Sequence, residues 1–212
     1  MRRIAVSLLG AACLLVGWTG PAGAAPSGES NTGSSVNVFW TTREPIGPNT
    51  FRLTTWYIGV YSDSEYGISS DAYQSVSACV YFDSRHYRCR QQSYRVGFSD
   101  LNKPGESYVI DDQNLEYATI RGLYPLESYD EYGNPAGPAE WTRVTADVTG
   151  VGDIGTSKST RTGRRGGCWY RTTTESAGRG MVATGTVNGA DLGSTNEGGM
   201  STYTSRTVYH SC

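Results

Sequence analysis

The chain has 212 residues, with 18 Lys and Arg against 20 Asp and Glu, a net charge of −2 at pH 7. It therefore lacks the broad basic excess that favours nucleic acid or anionic membranes. Its two histidines exclude a three-histidine metal centre, and no apolar run reaches the roughly 20 residues of a membrane-spanning helix.

Arg2 and Arg3 precede an apolar run from Ile4 to Val16, and small residues follow up to Ala22-Gly23-Ala24. This is the layout of a signal peptide, so residues 1–25 are expected to be removed after Ala24 or Ala25 and the product secreted. Removal takes Arg2 and Arg3 with it and leaves 187 residues with 16 basic and 20 acidic side chains, near −4. Residues 26–34 read as a flexible lead-in and 35–212 as a single β domain.

Straight-chain helix formers are scarce beyond the leader, while β-branched and aromatic residues recur between clusters of Gly, Asn, Asp and Pro. Strands are expected at 35–41, 51–61, 72–82, 93–98, 107–111, 115–124, 140–148, 167–174, 180–187 and 200–210. In FRLTTWYIGVY (51–61), Thr54, Trp56, Ile58 and Val60 share one face, leaving Tyr57 and Tyr61 on the other. Val144, Ala146 and Val148 likewise oppose Arg143, Thr145 and Asp147. The sum is an all-β fold, an antiparallel β-sandwich or barrel of about ten strands. A faint similarity between 35–124 and 140–212, joined by the Pro/Gly/acid-rich 125–139, raises two weakly related β halves.

Residues 74–98 read as a hairpin turning near Ser84, which sets Cys79 opposite Cys89 on its outward face. Strict alternation then turns the row Tyr94, Val96 and Phe98 inward. By elimination Cys168 pairs with Cys212, giving two disulfides, as an even count of cysteines in an exported chain suggests. The stretch TSKSTRTGRRGG (156–167) reads as a mobile basic loop.

No nucleophile elbow, zinc helix, P-loop or dinucleotide-binding glycine pattern is present, so no cofactor and no metal are expected. Asp63 and Glu65, and Asp111-Asp112, stand in turn contexts where Asp serves the local backbone. The segment TTWYIGVY (54–61) and the tripeptide Ala139-Glu140-Trp141 resemble parts of the secreted glutamic peptidases. The resemblance implies a β-sandwich hydrolase working through a Gln/Glu pair, with Glu140 as the glutamate and Gln74 as the glutamine. Against this stands a binding reading. Tyr57 and Tyr61 face outward, and the hairpin tip carries Tyr81, Arg85, His86, Tyr87, Arg88 and Arg90, types favoured at binding hot spots. The expectation is a non-enzymatic secreted binder of an extracellular protein or polysaccharide, not of nucleic acid. A carboxylate hydrolase and a structural envelope protein are the alternatives.

Overall fold

The structure, a computed structural model, describes residues 28–210 apart from Asp100 and Asn102. The expected signal peptide and Cys212 lie outside these residues. Ten strands follow one another: β1 (Gly28–Gly47), β2 (Thr50–Asp63), β3 (Gly67–Tyr81), β4 (Tyr87–Ser99), β5 (Ser107–Ile110), β6 (Tyr117–Asp130), β7 (Glu140–Arg165), β8 (Cys168–Val187), β9 (Ala190–Thr195) and β10 (Glu197–His210). They form one antiparallel sheet in the order β10-β1-β2-β3-β4-β6-β7-β8-β9, and β10 pairs with β8 as well, so the sheet closes into a barrel. Short β5 and β9 hang on β6 and β8. Closure removes most of the edges that an open ten-stranded sheet would expose. Both expected halves contribute to this one sheet.

Alternation decides what lies inside. The register stacks Val36 on Val60, Val38 on Ile58 and Trp40 on Trp56, and all six are buried. Ala118, Ile120, Tyr124 and Leu126 of β6 meet Val144, Ala146 and Val148 of β7 across the same interior. Trp40 lies against Gly185 of β8, where a Cβ would sit 2.6 Å from its ring, and donates its indole N–H to the Gly193 carbonyl of β9. One end is closed by Leu101, Leu115, Tyr108 and Ile110 from the β5 region. Leu115 takes a positive φ of 51° to point inward. The Asp111 carboxylate steadies that turn by accepting the backbone N–H groups of Gln113, Asn114 and Glu116. The outward positions of β6 and β7 carry Arg121, Arg143, Thr145 and Asp147, with Arg121 and Asp147 ion-paired at 2.6 Å. An apolar inside with a charged outside is the reverse of a lipid-spanning barrel.

Pro125, which ended an expected strand, lies within β6. It pairs with Trp141 of β7, and on its other side β6 is bonded only at 118–121 by β5 and at 127–130 by β4. The missing N–H therefore falls in a gap of the ladder, and the connector between the halves shrinks to 131–139.

Cys79 is bonded to Cys89, as the hairpin register requires. The rest of that hairpin departs from strict alternation. Val76 opposes Ser93 while Ser77 opposes Gln91, so Gln92 is an extra residue, a β-bulge. Beyond it every side chain of β4 changes face: Tyr94, Val96 and Phe98 point outward and Ser93, Arg95 and Gly97 inward. The expected inward row is thereby reversed, and Phe98 is 72% exposed.

Two stretches expected to be mobile are strands. Residues 28–34 open β1 and pair with 202–208 of β10. Residues 156–167 belong to a β7–β8 ribbon that turns at Gly166-Gly167, both at positive φ as a tight two-residue hairpin requires. Past Thr149, where β6 ends its pairing with β7, this ribbon continues with β10 and the start of β1 as a four-stranded arm.

Candidate functional site

One wall of the barrel collects aromatic rings. Phe39, Tyr57 and Tyr73 stand side by side in register on β1, β2 and β3, all facing outward. Tyr94 of β4 and Tyr129 of β6 continue the line and are themselves in register. Ring centroids are 4.8 Å apart for Phe39–Tyr57, 6.0 Å for Tyr73–Tyr94 and 4.9 Å for the stacked Tyr94–Tyr129. Five aromatic residues thus occupy five adjacent strands, a band about 19 Å wide at the usual strand spacing. The Gln92 bulge supplies its fourth member, because without that extra residue Tyr94 would point into the core.

Beside the band lies a shallow depression lined by Ser35, Asn37, Tyr57, Gly59, Asp71 and Phe98. Asn37, Gly59, Asp71 and Phe98 form one cross-strand row. Gly59 is its floor: a Cβ there would come within 2.1 Å of the Tyr57 hydroxyl and 2.7 Å of an Asp71 carboxylate oxygen. The Tyr57 hydroxyl donates to Asn37 Oδ1 at 2.8 Å, which leaves the Asn37 amide N–H groups for another acceptor. Asp71 accepts no side-chain hydrogen bond from another described residue. Desolvation raises its carboxyl pKa, and together with the nearby Asp71 charge desolvation raises that of the Tyr57 phenol. Phe98 and Tyr61, 72% and 45% exposed, flank the depression.

Next to it, Asp63 is buried and forms no ion pair with a described residue. It accepts from the Asn31 amide, the Tyr61 and Tyr203 hydroxyls and the backbone N–H groups of Glu65 and Tyr66. Desolvation works to raise its pKa, but these hydrogen bonds outweigh it and hold the carboxyl at about 2. The Tyr203 ring reaches Asp63 across Gly33, where a Cβ would meet the ring at 2.4 Å. This cluster satisfies itself and ties β10 to β2.

Of the residues singled out from the sequence, Tyr57 and Tyr61 lie on this wall. Tyr81 and Tyr87 lie at its far end, packed on Phe51 with centroids 4.8 and 5.2 Å away, where Arg43 covers Phe51 and Tyr87. They cover the disulfide, whose Cys79 is fully buried although it points outward. At the hairpin tip His86 bonds Asp83 at 2.7 Å, Arg88 lies over Phe82 at 5.7 Å, and Arg90 pairs with Glu131 at 2.7 Å. The first two contacts hold the hairpin itself and the third ties it to the β6–β7 connector; Arg85 projects from the turn, where its backbone N–H is capped by Asp83. Asn37, Phe39, Asp71, Tyr73, Tyr94, Phe98 and Tyr129 were not singled out.

Gln74 and Glu140 do not form a pair. Gln74 shares a register position with Arg95, and it is Arg95 that bonds Glu140, at 2.7 Å, with the Glu140 side chain 71% exposed. No hydrogen bond among the described residues joins Gln74 to Glu140, so the dyad implied by the resemblance to glutamic peptidases is not assembled. Among the described residues no three His, Cys, Asp or Glu side chains gather as a metal site. Comparison with known proteins finds no matching family model, no matching curated protein and no matching solved structure.

Proposed function

We propose that this protein is secreted and binds an uncharged polysaccharide chain laid across the aromatic wall. The observation that carries the reading is the placement of Phe39, Tyr57, Tyr73, Tyr94 and Tyr129 on five adjacent strands. Rings fixed on a rigid sheet, with Tyr94 and Tyr129 stacked on each other and the other neighbours tilted, offer a continuous ridged apolar surface to the C–H faces of sugars at little cost in side-chain entropy. Asp71 and Asn37, one row away, supply an acceptor and donors for hydroxyl groups. Beside the five rings the wall carries the carboxylates Asp71 and Glu127, and its cation, Arg43, lies at the far end over Phe51 and Tyr87, a balance that disfavours anionic chains. Each covered ring contributes on the order of 1–2 kcal/mol, so useful affinity needs several at once.

The test is affinity electrophoresis and calorimetry of the secreted protein against soluble neutral glucans, xylans, mannans and chitin oligomers. Binding to at least one, weakened about tenfold or more by Tyr73→Ala and by Tyr94→Ala with unchanged circular dichroism, is expected. Failure to bind any neutral glycan, or binding indifferent to both substitutions, overturns the reading.

We also propose cleavage after Ala24 or Ala25 and a second disulfide between Cys168 and Cys212. Two features support the disulfide: Cys168 is not a free thiol, and His210, two residues before Cys212 in sequence, pairs with Trp169, the neighbour of Cys168. Mass analysis of the secreted N-terminus and non-reducing peptide mapping check both. A Cys168 peptide released without reduction would refute the pairing.

A further inference from the structure

The four-stranded arm carries an exposed surface separate from the wall. Its ribbon 155–165 with 168–178 extends about 35 Å. Cross-strand partners share a face, and on one face Arg164 stands beside Trp169 and Trp169 beside His210. One row back on the same face is Arg171, and a further row back is Arg206, opposite Thr173. Arg164, Trp169, Arg171, Arg206 and His210 are all exposed.

None of these three arginines has an ion-pair partner among the described residues, whereas Arg52, Arg90, Arg95, Arg121 and Lys158 each hold a carboxylate. Glu175, the acid on the same face, is taken by Lys158 at 2.5 Å. Glu29 receives the Tyr209 hydroxyl on the opposite face. In a chain of net charge −2, three neighbouring guanidinium groups are thus left uncompensated on a flat exposed sheet, where they repel one another. Arg164 also lies over the Trp169 ring at 4.4 Å, which pre-orients both groups while Trp169 stays 47% exposed.

We propose that this face binds an acidic polysaccharide bearing a carboxylate on its sugar units. Arginine forks match planar carboxylates in bidentate fashion, and an exposed indole stacks on a sugar ring. The unpaired backbone N–H groups of the outer β7 edge lie in the plane of the sheet and do not open onto this face, which among the described residues offers no helix N-terminus or backbone nest of the kind that cradles a phosphate. The neighbouring rows, about 7 Å apart, present charge at intervals along a chain, as a polymer requires.

The probe is polygalacturonate, titrated against the secreted protein at 50 and 200 mM NaCl. Saturable binding that weakens about twentyfold over this range is expected for three contacts on a single-stranded polyanion. The triple variant Arg164→Ala/Arg171→Ala/Arg206→Ala is expected to lose at least tenfold in affinity, and the triple Arg→Lys variant to recover only part of it. Trp169→Ala weakens binding several-fold, and carboxyl reduction of the polymer abolishes the salt-sensitive binding that depends on the three arginines. All these residues are exposed, so circular dichroism and binding of a neutral glycan at the wall should be unchanged. No binding of polygalacturonate, indifference to the triple Ala variant, or equal or tighter binding of a single-stranded oligonucleotide or polyphosphate of matched charge overturns the proposal.

Discussion

Two aspartates eight residues apart show how the same side chain is used in opposite ways. Asp63 is buried and ionised, and five donors replace the water it gives up. Its folded pKa of about 2 lies below the ordinary unfolded value of roughly 3.9. Its contribution to stability is therefore complete above about pH 4 and is lost as the pH falls towards 2. Asp63→Ala leaves several donors unsatisfied and should cost about 3 kcal/mol at pH 7. In thermal melts the gap to wild type should narrow at pH 2–3. Asp71 carries the reverse sign. Desolvation raises its pKa, so keeping it ionised at neutral pH costs stability, and that cost disappears once the unfolded chain is protonated too. Asp71→Asn should therefore raise Tm at pH 7, leave it unchanged at pH 3, and weaken glycan binding. A variant that melts lower at pH 7 would show that Asp71 serves the fold instead.

The β3–β4 hairpin shows what its residues disclose and what they conceal. Cys79 and Cys89 stand equidistant from the turn, so their pairing was legible from spacing. The Gln92 bulge was not, since Gln91-Gln92 carries no Gly or other local mark of an irregular ladder. An undetected bulge reverses every later side chain, which is why Tyr94 and Phe98 were assigned to the core and the aromatic wall stayed hidden. Phe39, by contrast, was readable, because Val36, Val38 and Trp40 force it outward. The Asn188-Gly189 pair, both at positive φ, likewise marks the β8–β9 turn. Glu140 and Gln74 carry only short strand-edge matches, which say nothing of spatial pairing. Two element-scale tests follow. The disulfide closes a ten-residue separation, so Cys79→Ala with Cys89→Ala should cost about 2–3 kcal/mol by denaturant titration. Deleting Gln92 should return Tyr94 and Phe98 to the inward parity, abolishing glycan binding along with native stability; a folded, binding-competent deletion would refute the bulge's role.

For the whole molecule, the same four strands serve two environments. Near the centre of the chain's pairing, β1, β7, β8 and β10 line a packed interior with Val36, Val148, Met181 and Met200. Farther out they form the arm, where nearly every residue from 151 to 165 is exposed and hydrogen bonds carry the sheet with little apolar burial. The outer edge of β7 at 155–165 pairs only with β8, a free edge of the kind that invites intermolecular strand addition. Lys158, Arg161, Arg164 and Arg165 along it are the usual safeguard against that. Stability must therefore be graded along single strands. In native-state hydrogen exchange, amides of 36–40, 56–60 and 144–148 should open only with global unfolding. Those of 156–164 should exchange through local opening, several orders of magnitude faster. A double variant that removes only this bond, Cys168→Ser with Cys212→Ser, gives the discriminating comparison. If Cys168 joins Cys212, the variant should exchange faster at 169–173 and 206–210 and no faster at 56–60, the Cys79–Cys89 bond being intact in both proteins. Uniform acceleration across both groups would mean that arm and barrel unfold as one cooperative unit, and no change in either would mean that the bond adds nothing to the arm.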